Sequence, residues 1–311
     1  MQRKKIVVAL GRNAFGDTFP AQKQSVKIAA KAIADLAEEK FDIVITHSNG
    51  PQVGMLHTAM TEFSRNNSKY TVAPMSVCSA LSQGYIGYDL QNVIRTELLN
   101  RGLFKPVTTL ITQVKVDPFD KAFSNPTKVI GRYMSAEEAE REKKKGNYVV
   151  YEEGKGYRRI IASPKPLDIY EIDAIKTLLE ANQIVIAAGG GGIPVLEQGT
   201  VLKGASAVIE KDYTSELLAE MIDADILLFL TGVEKVSLFY NSPNEQPLDQ
   251  MTVAEAKDYM NKGHFEQASM LPKIEASIRF ISSAPGRQAI ICHLEKAKEA
   301  IHGKAGTRIF L

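Results

Sequence analysis

Short apolar runs alternate with amphipathic helical stretches along most of the chain, and this alternation limits the fold more than any other feature. Ile6-Val7-Val8-Ala9-Leu10 is the first run. Further runs cover residues 43–46, 107–112, 184–188, 226–230, 289–292 and 307–310. Helical patterns lie between them. Over 21–40, Val26, Ala29, Ile33 and Leu36 recur at helical spacing; over 84–100, Ile86, Leu90, Val93, Ile94 and Leu98 do the same, and Gly102 stands where a helix stop belongs. Other helices are predicted over 169–181, 213–222, 253–262 and 273–283. Strands that alternate with helices build a largely parallel sheet covered on both faces, an α/β fold. Such sheets bind ligands at the carboxyl ends of their strands, which puts the loops after Leu10 and Thr46 at the chemically relevant end.

The alternation breaks between about residues 117 and 166. This stretch is charged, rich in turns and poor in apolar runs, with Asn125-Pro126, Gly131 and Ser163-Pro164-Lys165-Pro166. A structureless loop of that length is uncommon, so a small inserted subdomain is expected there. The run 137–145 reads as a solvated helix face.

Composition removes several classes. Hydrophobic residues make up 44% of the 311-residue chain and charged residues 24%, the balance of a packed protein. A net charge of +2 offers no global field for nucleic acid. No apolar stretch approaches membrane-spanning length, and residues 6–10 are too short for the core of a signal peptide, so a cytoplasmic location is expected. Cys78 and Cys292 each lie in an apolar setting and read as reduced core cysteines. No Cys/His spacing suggests a metal site.

Four segments share the order strand, glycine or polar turn, helix. They are Gly11-Arg12-Asn13-Ala14, Ser48-Asn49-Gly50-Pro51-Gln52-Val53-Gly54, Gly189-Gly190-Gly191-Gly192 and Thr231-Gly232-Val233. Backbone N–H groups in such turns can converge on an anion, and a following helix N-terminus adds favourable potential. Neither the dinucleotide nor the P-loop glycine spacing occurs. Phosphoryl transfer also needs cations, because charge spreads over the oxygens of the moving group. Lys128 in Asn125-Pro126-Thr127-Lys128, Lys211 beside Asp212, and Lys273 after Ser269-Met270-Leu271-Pro272 are the candidates. By composition alone each is a solvated lysine. Asp212 reads either as an anchor for ammonium groups or as a magnesium contact, and His47 as a substrate hydrogen-bonding group or a structural histidine.

The chain resembles carbamate kinase of the amino-acid kinase superfamily from about Lys5 to its C-terminus. The most specific segments are Ser163-Pro164-Lys165-Pro166 and Met270-Leu271-Pro272-Lys273-Ile274-Glu275-Ala276. The resemblance implies one α/β/α sandwich over residues 1–311 with a subdomain protruding over the carbamate site. It places the substrate on the N-terminal half and the nucleotide on the C-terminal half. It also implies a homodimer, magnesium, and reversible transfer between ATP and carbamate, often run toward ATP during arginine or agmatine fermentation. On that likeness Lys128, Lys211, Asp212 and Lys273 would be catalytic. Gly11, Arg12, Asn13, Ser48, Asn49, Gly50, Gly190 and Gly191 would hold phosphoryl and carbamate groups. Thr231, Gly232 and Ser269, Met270, Leu271 and Pro272 would face the nucleotide. The sequence departs from the family pattern at Arg12 and Ser48, where glycines are usual, at Glu234, where Asp is usual, and at Gln267-Ala268, where Pro-Gly is usual. Those departures keep two other readings open: a weakly active ligand-binding or regulatory relative, and a kinase for another small carboxylate. If Arg12 had to adopt a positive φ, the strain would be about 1–2 kcal/mol.

Overall fold

A computed structural model describes residues 3–16, 18–65, 67 and 69–311. The strands form an eight-stranded sheet in the order Gln250–Thr252, Thr307–Phe310, Gln288–His293, Ile226–Thr231, Lys5–Leu10, Asp42–His47, Ile184–Ile186, Val107–Thr109. The last six in that order run parallel, and Thr307–Phe310 returns antiparallel along Gln288–His293. Period-two alternation sorts the central strand between two cores. Ile6, Val8 and Leu10 pack with helices Phe19–Glu38 and Met75–Asn100. Val7 and Ala9 pack with helices Ile172–Glu180, Lys211–Met221 and Met270–Ser283. The result is a three-layer α/β/α sandwich, as the alternation predicts.

Lys5–Leu10 lies between Asp42–His47 and Ile226–Thr231, so the chain crosses to opposite sides of the sheet on leaving it. The carboxyl ends of these strands, Leu10, His47 and Thr231, therefore meet at the switch point where an open parallel sheet forms its crevice.

Three local expectations fail. The loop after His47 is only Ser48-Asn49: helix Gly50–Arg65 starts at Gly50, with Pro51 at a first-turn position where its missing N–H costs nothing. Likewise Met270, Leu271 and Pro272 form the first turn of helix Met270–Ser283, after Ser269. The helix predicted from residue 84 starts at Met75. Its first turns carry buried Ser76, Ser79, Ser82 and Gln83, polar side chains that hide it from apolar periodicity.

Within residues 117–166, strands Lys128–Met134, Gly156–Ile161 and Tyr148–Glu152 form a separate three-stranded sheet, with helix Ala136–Lys144 against it. This helix is not wholly solvated. Ala139 and Glu142 are buried, and Glu142 accepts from Lys145 Nζ and Asn147 Nδ2, both at 2.7 Å. Ser135 and Glu138 close its N-terminus as a capping box.

The final strand enters through Gly306, at φ +75°. A Cβ there would lie 2.7 Å from the Ile291 carbonyl oxygen and 2.6 Å from Cys292 Cβ. Gly306→Ala should therefore cost about 3 kcal/mol, from left-handed strain plus overpacking. Urea denaturation of both proteins measures this; an unchanged midpoint would show that the turn relaxes freely.

Candidate active site

The site is built where helices Lys211–Met221 and Met270–Ser283 begin. Each N-terminus carries positive potential, although at the second the Met270 and Leu271 N–H groups donate to the Glu266 carbonyl at 3.1 and 3.0 Å and Pro272 has none. Lys211 is the first residue of one helix, and Lys273 lies in the first turn of the other. Asp212 sits between their ammonium groups. Its Oδ1 accepts from Lys211 Nζ at 2.5 Å and its Oδ2 from Lys273 Nζ at 2.8 Å. Lys273 Nζ also donates to the Ser269 carbonyl at 3.1 Å. Lys211 is 7% exposed and Asp212 1%, so neither is a solvated surface residue. With both oxygens taken by ammonium groups, Asp212 serves as the lysine anchor of its two sequence readings.

Burial opposes the charge on Asp212, yet Lys211 and Lys273 outweigh it and hold the carboxyl down at about 2. Burial lowers the Lys211 pKa; Asp212 resists this and the Lys273 charge adds to it. Lys211 Nζ also lies 5.8 Å from the Phe229 ring centroid, on a neighbouring strand.

The glycine segments converge on one another. Gly11 N–H donates to the Leu230 carbonyl at 2.8 Å, and Ser48 N–H to the Leu10 carbonyl at 3.0 Å. A Cβ on Gly232 would lie 2.2 Å from Asn13 Nδ2, and one on Gly190 2.0 Å from Asn49 Nδ2. Asn49 donates to Ser82 Oγ at 2.8 Å. Thus Gly11, Asn13 and Gly232 gather on one side, and Ser48, Asn49, Gly190 and Gly191 on the other. Gly50 is exposed at its helix start.

The tetraglycine run has a packing cause. Added Cβ atoms at Gly189, Gly191 and Gly192 would lie 2.2 Å from His47 Nε2, 2.5 Å from the Ile209 carbonyl oxygen and 2.2 Å from Val114 Cγ2. Gln83 fixes the run from below by donating to the Gly189 carbonyl at 3.0 Å and accepting from Thr112 N–H at 2.9 Å. Thr214 Oγ1 donates to the Gly191 carbonyl at 2.8 Å. Ser82, Gln83, Thr112 and Thr214 were not singled out from the sequence. Buried polar side chains on otherwise apolar helix faces were the available signal.

Arg12 lies in the short 3₁₀ turn Arg12–Ala14, exposed, with its φ outside the left-handed region, so the strain considered above does not arise. Ser48 is half-buried.

Thr231, Ser269, Met270 and Lys273 line one cleft of about 110 Å³ together with Tyr240 and His264. Gly232, Leu271 and Pro272 are not among its lining residues, and Pro272 is buried in the helix. Lys128 approaches from the three-stranded sheet and pairs with Glu210, the residue before Lys211. Cys78 and Cys292 are free and buried.

An α/β switch-point crevice that gathers ammonium groups, helix N-termini and glycine turns is a site for handling phosphoryl groups. The sequence model of the amino acid kinase family matches residues 4–293. A carbamate kinase-like protein, YqeA of Escherichia coli (strain K12), is 53% identical over 98% of this chain and 99% of its own. A carbamate kinase of Clostridium perfringens is 46% identical over 98% of this chain and 99% of its own. The solved carbamate kinase of Giardia lamblia bound to AMP-PNP superposes with a TM-score of 0.92 at 36% identity, covering 99% of this chain and 98% of that one. The chain belongs to the amino acid kinase family, and within it to the carbamate kinases.

His47 gives the site a measurable signature. Burial holds its imidazole down to about 4, helped by the Lys211 charge and resisted by a 3.0 Å contact from Nδ1 to the Ser48 carbonyl. The unfolded chain takes up this proton near 6.5 and the folded chain only near 4. Stability is therefore complete above 6.5 and falls as pH drops through that window, by about 3 kcal/mol for a shift of this size. His47→Gln should flatten that part of a stability–pH curve from chemical denaturation. An unchanged slope would place the acid sensitivity elsewhere.

Proposed function

We propose that this carbamate kinase transfers a phosphoryl group between ATP and carbamate, using Lys211 and Lys273 as the cationic clamp and Asp212 as their organiser. The observation that carries this reading is the shared carboxylate: one buried Asp212 fixes two ammonium groups at the mouths of two helices. In the forward direction a carbamate oxygen attacks the γ-phosphorus, the bond to the ADP oxygen breaks, and carbamoyl phosphate leaves with ADP. A carbamate oxygen is already anionic, so no general base is required. The protein's work is to align the partners and offset charge on the equatorial and leaving oxygens. Lys128 supplies positive charge from the subdomain side, and N–H groups around Asn13, Asn49 and Gly190 line the anion path. The Thr231, Ser269 and Met270 cleft takes the nucleotide. This reading accommodates Arg12, whose exposed turn leaves the backbone unstrained.

Magnesium is proposed to enter with the nucleotide. Both Asp212 oxygens are engaged by lysines, and no cluster of three or more metal-ligating side chains occurs among the described residues. Phosphate oxygens and water are the expected ligands, as is common for Mg²⁺. The pathway expectation, ATP formation during arginine or agmatine breakdown in the cytoplasm, rests on family membership. No helix among the described residues is long and apolar enough to cross a membrane.

A coupled assay of ATP formation from carbamoyl phosphate and MgADP tests the reaction. Lys211→Ala should lower kcat about a hundredfold or more, as loss of one preorganised transition-state donor does. In the wild type, kcat should fall on the alkaline side before 10.5, because burial lowers the Lys211 pKa and the lysine works protonated. Tight nucleotide binding without turnover would favour the ligand-binding reading, and faster turnover with another small carboxylate would reassign the acceptor.

The homodimer is proposed on helix Met75–Asn100, where Val77, Leu81 and Tyr88 are exposed along one face at helical spacing. Leu81→Glu with Tyr88→Glu should convert the dimer to monomers by light scattering. A wild-type monomer, or a dimer untouched by both changes, would refute this assignment.

A further inference from the structure

The three lysines are held in two different ways. Lys211 and Lys273 share Asp212, whose side chain is 2% exposed and whose two oxygens are both committed. Lys128 is held by Glu210, across a far wetter contact: the lysine side chain is 40% exposed and the glutamate 20%. The backbone creates this contact. Lys128 opens strand Lys128–Met134 and pairs in register with Ile161. The next residue, Ala162, bridges Ala207, and Val208 N–H donates to the Ala162 carbonyl at 3.0 Å. Ile130, Ile161 and Val208 pack together beneath. The subdomain root and the 207–210 segment are thus stitched side by side, which brings the Glu210 carboxylate to Lys128 next to Lys211.

A carboxylate so close to the phosphoryl site is electrostatically unfavourable for an incoming anion. It is tolerable where the lysine it neutralises can be exchanged. A buried pair resists exchange because breaking it strands a charge away from water. An exposed pair is worth little, so a substrate anion can displace it.

We propose that Glu210 is a positioning residue, an exchangeable counter-charge that parks Lys128 at the site mouth and yields it to the phosphoryl group of the incoming substrate. The inference rests on the carbamate kinase reading for the identity of that substrate, but its electrostatic core concerns any phosphate-bearing ligand. Glu210 competes with substrate for Lys128 in the ground state, so its charge acts on acceptor-side affinity.

Inorganic phosphate, titrated calorimetrically, probes the exchange without turnover. Removing the competing charge in Glu210→Gln should tighten phosphate binding about threefold, the scale of an exposed ion pair. The KM for carbamoyl phosphate should fall by a similar factor, while the KM for ADP stays constant. In a Lys128→Ala background the same change at Glu210 should give a smaller gain, the part due to direct repulsion of the anion. Weaker or unchanged phosphate binding in Glu210→Gln would overturn the proposal. So would an equal gain in the Lys128→Ala background, since Glu210 would then act by direct repulsion. If Glu210→Gln fails to fold, Glu210→Asp keeps the charge but shortens its reach, and the same phosphate comparison decides. If the wild type does not turn over carbamoyl phosphate, the carbamate kinase reading fails, yet the phosphate affinities still decide the role of Glu210.

Discussion

Asp212 is the constraint on which the rest of the site depends. A buried carboxylate is costly unless it is paired, and a buried ammonium is no cheaper. Placing one carboxylate between two ammonium groups solves both problems and leaves a net positive charge aimed at the crevice. Each lysine is fixed by the same carboxylate, so the distance between them follows from the distance between the two helix starts. Helix packing thereby becomes active-site geometry.

That packing has its own reinforcement one turn below. Tyr213 donates to Glu275, and the Arg279 guanidinium lies 4.6 Å from the Tyr213 ring centroid and 3.3 Å from Glu216. Burial pushes the Glu216 carboxyl up to about 8, against the pull of Arg279, with a hydrogen bond to Glu220 adding to the rise. Tyr213 and Glu216 belong to the Lys211 helix; Glu275 and Arg279 belong to the Lys273 helix. Across the sheet, Thr46 and Ser215 hydroxyls meet at 2.6 Å, and Ser215 donates to the Lys211 carbonyl at 2.8 Å. The clamp is therefore referenced both to its partner helix and to the strand that ends at His47.

Much of the fold was legible because it follows from periodicity. Ile6 to Leu10 could only be a strand buried on both faces, and Ile86 to Leu98 could only be helical. The polar start of the same helix was illegible: Gln83 bonds the 189–192 turn and Ser82 accepts from Asn49 beside it, and no apolar period marks these residues. Gly50-Pro51 read as a turn, because these residues punctuate loops more often than they start helices. At the site, the lysine and glycine positions could be named, but their grouping could not. Composition describes Lys211 as solvated, whereas the fold buries it, and only the adjacency of Asp212 hinted at the reason.

The tetraglycine turn shows why a motif can be read correctly in place and incompletely in cause. Glycine invites the inference that a phosphate must come close. Yet at Gly189, Gly190 and Gly192 the atoms that would meet a Cβ belong to His47, Asn49 and Val114, and at Gly191 to the Ile209 carbonyl. The turn is bare so that the neighbouring strands and loops can close over it. This closure seats Asn49 against Gly190 and His47 against Gly189, and it leaves Ile209 immediately before the Glu210-Lys211-Asp212 sequence. A side chain in the turn would first displace the residues that carry charge and hydrogen bonds, and only then obstruct a ligand. The glycines contribute to phosphoryl chemistry at one remove, by letting the protein pack tightly enough to place its cations.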